Sequence, residues 1–429
     1  MNNLFIRKKL LWLLLSVLSA GSMAWYVTAV WSANQPPQFS DLYAPWWAAH
    51  ELLLHGRNPY SPAVAHEIQT VIYGAPASDV STNDPSNIAG GFAYPPYAAL
   101  LLWPTVYLSF EQVQKLFLGT SVLAILLSLA LWLRFLRLRP SPLLWMTLAF
   151  FTLGSFPALQ AIRLQNLSVI AAALIALSLF LVSADHLLLA GIFLALSTFK
   201  PQFAAGLILG LALWITGDWR RRRPLAWSFL ITMLLLFLMS SWLVPGWIHT
   251  FFSVLRAYRL YTYGHSLLDV WFTPRGGAFI GVCLLLAALA VCWKHRSKAA
   301  NSARFSLITT LLLAVTLIVI PTLAPHAQLL LLPGFLNMIH MRKFLSSSGT
   351  PAKMIVAAAW ALLAWSWIAA FGLLVAALLV PIPRLLRFWQ LPLYTSPLLP
   401  LAVSFALSCL LWSIPQQEGR KLDLSGNIP

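Results

Sequence analysis

Acid is scarce in this chain. Eleven Asp and Glu residues are spread through 429 positions, against 28 Lys and Arg, and charged residues of every kind make up only 9%. An ordinary soluble domain carries about 25%. So few charges cannot cover a water-soluble surface, and with 60% hydrophobic residues and a mean hydropathy of +0.78 the outer surface must face lipid. Cysteine is also rare: Cys283, Cys292 and Cys409 lie singly inside apolar runs, without the paired spacing of a disulfide framework or a thiolate metal site. No repeat of solenoid period and no low-complexity tract occurs. The polar loops hold no Asp-x-Asp or His-x-x-x-His pair, so neither a metal nor a cofactor is expected. The net charge of +17 would suggest nucleic acid in a soluble chain. In a membrane chain Lys and Arg first mark cytoplasmic ends, and nucleic acid is not an expected partner.

What is present is a succession of apolar segments. Arg7, Lys8 and Lys9 precede an apolar run from Leu10 to Trp31, long enough to span. It reads as an uncleaved first helix, although a signal peptide cut near Ala20 or Ala24 is the alternative. Residues 32–112 then form the first external loop. Its front half, through Leu42, Trp46, Trp47, Ala49, Leu53 and Leu54, has the period of an interfacial helix with its tryptophans among headgroups, stopped by Asn58-Pro59. Tyr73 to Gly91 reads as an exposed loop. Ala98 to Leu108 is too short to span comfortably and contains Pro104, so it reads as interfacial or re-entrant.

The next crossing is Val113 to Leu133. Further crossings are expected at about 141–158, 165–183, 187–200, 202–216, 224–245, 277–293, 305–321, 327–340, 354–378 and 395–412. The whole chain, 1–429, is therefore expected to be one integral membrane domain. It is an all-α polytopic bundle of about twelve transmembrane helices with both termini cytoplasmic. This topology puts about nineteen of the 28 Lys and Arg inside, including Arg220 to Arg223, Lys294/Arg296/Lys298, Arg342/Lys343 and Arg420/Lys421. Asp41, Glu51, Glu67, Asp79, Asp84, Glu111 and Asp269 fall outside, so chemistry belongs to the external face.

Asp41 leads the candidates. Tyr43, Pro45, Trp46 and Trp47 surround it in sequence, and a partly desolvated carboxylate at an interface suits a general base. It, or Ser40, suits a helix N-cap equally well. Lys200, in Lys-Pro-Gln between two apolar runs, would bind a phosphate in the headgroup layer or simply snorkel. Arg163 lies at an external turn beside Gln165 and Asn166, whose amides suit sugar hydroxyls but also serve as caps. His326, after Pro325, opens a helix where an anion would be welcome. Residues 245–277 interleave Arg256, Tyr258, Arg259, Tyr261, Tyr263, His265, Ser266, Asp269 and Trp271, which fits either a sugar and headgroup surface or an aromatic belt.

In order along the chain, Asp41, Trp47-Ala-Ala49, Gly56-Arg-Asn-Pro-Tyr60, Tyr94-Pro-Pro96, Gln165-Asn166, Lys200-Pro-Gln202, Ser266-Leu267 and Pro325-His326 resemble glycosyltransferase family 87, of the GT-C type. The resemblance implies a GT-C-like bundle with interfacial helices in the first external loop. It also implies inverting transfer of a hexose, mannose foremost, from a polyprenyl-phosphate-linked donor to a lipid, glycan or glycolipid acceptor of the cell envelope. The site would lie on the external side of the plasma (inner) membrane. Asp41 would then be the general base. Lys200, His326 and Arg163 would hold the departing phosphate, and Asn58, Tyr60, Tyr94, Gln165, Asn166 and Asp269 would meet sugar or acceptor. A transporter or flippase of lipid-linked glycans is the alternative, but that would place ionisable groups near the midplane and show inverted repeats.

Overall fold

The computed structural model describes residues 2–34, 40–74, 91–261, 265–320, 324–342 and 349–413. The loop at 75–90 with Asp79 and Asp84, Tyr263, Lys343, the Arg420/Lys421 pair and the side chains of Lys8, Tyr258, Arg259 and Tyr261 lie outside what is described.

Every regular element among the described residues is helical. The α-helices are α1 (Asn2–Trp25), α2 (Tyr43–His55), α3 (Pro62–Tyr73), α4 (Ala98–Leu102), α5 (Phe110–Phe135), α6 (Pro142–Leu153), α7 (Phe156–Leu164), α8 (Ser168–Ser183), α9 (Leu187–Leu196) and α10 (Pro201–Thr216). They continue as α11 (Trp219–Leu243), α12 (Trp247–Tyr261), α13 (Leu267–Trp271), α14 (Pro274–Lys294), α15 (Ala303–Val319), α16 (Leu332–His340), α17 (Thr350–Ala376), α18 (Ile382–Leu385) and α19 (Leu399–Ser413). Many starts follow local chemistry. The Ser61, Ser141 and Ser155 hydroxyls accept backbone N–H groups of helices with proline in the first turn, and Ser109 forms a capping box with Gln112.

Among the described residues, six segments are long and apolar enough to cross a membrane: 9–34, α5, α11, α14, α17 and 382–413. A seventh is obtained if α6 and α7, bent by 58° at their junction, count as one broken span. This protein is therefore a multi-pass membrane protein, but twelve spans exceed what length and composition support. Most of the other expected crossings fall on shorter helices. Helix α8, at 16 residues, is about 24 Å long, short of the roughly 30 Å hydrocarbon core. Helix α15 is buried around almost its whole circumference, from Ala303 to Ile318, so its apolarity reflects packing among helices rather than contact with lipid.

Two groups of helices are joined through α10 and α15. In one, α5 lies on α8, α8 on α9 and α9 on α11, and α8 and α11 meet α10. In the other, α10 and α14 lie on α15, which meets α19; α19 meets α17, α17 meets α1, and α1 meets α6. Gly206 and Gly210 let α10 approach α15 closely, since a Cβ on either would come within 2.3 Å of Thr316 Oγ1 or 2.2 Å of Leu312 Cδ1.

The first loop does carry short helices, with two differences from expectation. Helix α2 ends at His55 because Gly56 adopts φ 65°, a left-handed C-cap, before Asn58-Pro59 is reached. Trp46 is buried against Tyr43 and Phe110 rather than lying among headgroups. Arg57 joins α2 to α3, donating to Glu51 Oε2 and Glu67 Oε1 at 2.7 Å each.

Candidate active site

The site begins where the chain breaks between α7 and α8. Gln165 takes φ 53° and closes α7 in the left-handed conformation, and Asn166 N–H returns to Ala161 O at 2.9 Å. The break turns the Asn166 side chain into the interior, 6% exposed. Asn166 Oδ1 accepts from Ser168 N at 2.8 Å and from Ser168 Oγ at 2.5 Å, which starts α8.

The same oxygen accepts from Lys200 Nζ at 2.7 Å, and Lys200 also donates to Ser168 Oγ at 2.8 Å. Asn166 Nδ2 donates to Asp41 Oδ2 at 2.5 Å. One amide therefore joins a cation to an anion. Its orientation follows from the partners, because an ammonium only donates and a carboxylate only accepts.

Neither Ser40 nor Asp41 caps α2. The N-cap position is Leu42, with no side-chain cap, and Ser40 Oγ instead accepts from Leu42 N at 3.3 Å. Asp41 is fixed from both sides, by its own N–H on Leu164 O at 2.8 Å and by Asn166 on its carboxylate. Burial raises the Asp41 carboxyl above its ordinary range, against the opposing pulls of the Asn166 hydrogen bond and the Lys200 charge. A carboxylate so placed is a stronger base than one in water.

Lys200 sits between the short 3-10 turn Ser197–Phe199 and α10, 6% exposed. Its ammonium lies 5.7 Å from the Tyr94 ring centroid and 5.4 Å from that of Phe203, within reach of cation–π attraction. Tyr97 holds this turn by donating to Thr198 O at 2.9 Å, and Tyr60 holds the Tyr94 backbone by donating to its carbonyl at 2.6 Å. The Tyr-Pro-Pro-Tyr stretch thus forms one wall of the lysine site. His326, at the start of the 3-10 helix Pro325–Leu331, is near enough for Lys200 to act on it. Burial, and then the Lys200 charge, hold its imidazole well below the usual range. Its buried Nδ1 has no hydrogen-bond partner among the described residues.

The other candidates sit elsewhere. Arg163 Nε donates to Ser32 Oγ at 3.2 Å, at the end of the first span. Gln165 is occupied with Ser40 Oγ at 2.8 Å and with Gln114, one layer from Asp41. Asn58 Oδ1 accepts from Tyr60 N at 3.0 Å, shaping the turn before α3. Asp269 forms a capping box with Ser266 at the start of α13. Ser168 and Tyr97 are members of the site that sequence reasoning missed. Of these only Ser168, two positions after Asn166, carried a local signal.

The arrangement offers a desolvated base, a buried ammonium and an uncharged imidazole on neighbouring helix breaks, suited to removing a proton at one end and stabilising an anion at the other. The family model for glycosyltransferase family 87 matches residues 92–321, a span that includes Tyr94, Asn166 and Lys200. No curated protein and no solved structure matches the chain.

Proposed function

The chain belongs to glycosyltransferase family 87, and from that premise we propose that it transfers a hexose, mannose foremost, from a polyprenyl-phosphate-linked donor to a lipid or glycan acceptor of the cell envelope. The site faces the external side of the plasma (inner) membrane, with both termini cytoplasmic. Asp41 takes the proton from the acceptor hydroxyl as that oxygen attacks the anomeric carbon from the face opposite the phosphate. The bond to the phosphate oxygen breaks, and the configuration inverts. Lys200 meets the negative charge that grows on the leaving phosphate. His326 contributes an N–H donor rather than a charge, and Arg163 adds long-range positive potential.

The observation that supports this reading most directly is the continuous chain Asp41–Asn166–Lys200. It joins a buried carboxylate and a buried ammonium, the groups proposed here as base and phosphate-binding cation, to the two ends of one side-chain amide.

The test is transfer from radiolabelled polyprenyl-phosphate mannose in membranes that contain the protein. Asp41→Asn is expected to keep the fold and lose transfer by on the order of 10²–10⁴-fold, the usual share of general-base catalysis. Wild-type transfer by a folded Asp41→Asn protein would rule out the assigned base.

A further inference from the structure

The C-terminal end of α2 carries a second constellation that the transfer chemistry does not use. His50, Glu51 and His55 turn their ligand atoms towards one another. His50 Nδ1 lies 3.2 Å from Glu51 Oε1, His55 Nε2 lies 4.0 Å from the same oxygen, and the three atoms all fall within 4.8 Å of one another. We propose that these residues bind one divalent transition-metal ion of the zinc class.

The spacing suits such an ion. In a tetrahedral zinc site with bonds near 2.0–2.2 Å, neighbouring ligand atoms stand about 3.4 Å apart; His50 and Glu51 already stand 3.2 Å apart, and the exposed His55 side chain has to close in on them from 4.0 Å. The surroundings suit it too. Arg57 holds Glu51 Oε2 at 2.7 Å, which leaves Oε1 for the two imidazoles. Trp47 stacks on the His50 ring, 6° from parallel at 5.1 Å, and fixes its direction. Ligands oriented by outer partners of this kind are the rule in metal sites. Charge also favours a cation: the two negative charges of Glu51 and Glu67 exceed the one positive charge of Arg57 by one, and Glu51 is only 4% exposed.

His55, with a side chain 54% exposed, leaves a fourth coordination position open to water. His50 lies seven positions into α2 from Tyr43, which at 1.5 Å per residue is about 10 Å along the helix, and Asp41 precedes that helix. An ion here does not touch the reacting atoms. It ties the end of α2 to the Arg57–Glu67 link and so to α3.

The experiment uses the full-length protein purified in detergent, stripped with chelator and dialysed against Zn²⁺ alone. Elemental analysis is expected to find one zinc per chain in the wild type and in the control His249→Ala, which alters an exposed histidine on α12. His50→Ala and His55→Ala are expected to bring retention to background, and Zn²⁺ is expected to raise the thermal unfolding midpoint of the wild type but of neither variant. A wild type that holds no zinc, or either cluster variant that holds as much as the wild type, overturns the proposal.

Discussion

Burial makes Asp41 reluctant to ionise, and the consequence is a pH dependence of defined sign. Its carboxyl is raised above the ordinary range, and a general base works only when deprotonated. Transfer should therefore fall as pH is lowered through that raised value, so the acid limb of kcat/KM should lie above the usual carboxylate pKa. The same shift favours folding below the unfolded-state pKa, and that contribution is lost as pH rises through the folded one. A rate profile with its acid limb in the ordinary carboxylate range would contradict the assignment. Asn166 offers a separate test. Replacing it with Ala removes one hydrogen bond to each of two charged groups, at about 1.5–3 kcal/mol apiece. Loss of orientation should also lower kcat on the order of 10²-fold, read by transfer assays on protein of verified fold. Asp41 and Lys200 stood out in the sequence because ionisable residues are rare beside apolar runs. Their connection did not, because Asn166 is 125 positions from the first and 34 from the second.

Helices were legible where long apolar stretches announce them, as the uninterrupted run of α5 did from composition. Serine before proline caps α3 and α6, a local signal that the apolar pattern did not draw on, and α3 was not read from the sequence. Burial is not written in composition, however: α15 reads like a lipid-facing span although it is enclosed by other helices. The close approach of α10 to α15 depends on Gly206 and Gly210, and no periodicity distinguishes a glycine that packs from one that does not. Gly206→Ala should force Thr316 aside and cost about 1–3 kcal/mol through overpacking, seen as a lower unfolding midpoint in detergent. Because α10 begins at Pro201, beside Lys200, the variant should also lose transfer; an unchanged midpoint would show that the two helices yield without strain.

For the molecule as a whole, hydropathy established the membrane, while its count of about twelve crossings goes beyond the six or seven segments that length and apolarity support among the described residues, since a 16-residue apolar helix can be part of a protein core. Orientation can be measured directly. In a background without native cysteines, Lys115→Cys at the start of α5 should react with an impermeant maleimide from outside intact cells, while Lys298→Cys, between α14 and α15, should react only after permeabilisation. The reverse pattern would invert the proposed topology. The basic run Arg220 to Arg223 bears on the same question. Arg222 lies over the Trp214 ring at 3.8 Å and donates to the carbonyls of Trp214, Arg296 and Lys298 at 2.5, 2.6 and 3.0 Å. During synthesis this residue is one vote among several for which way the chain is threaded; once the helices assemble, it becomes a clasp that binds the start of α11 to the turn after α14. Arg222→Lys should keep the vote and loosen the clasp, so insertion and assembly can fail independently at a single position.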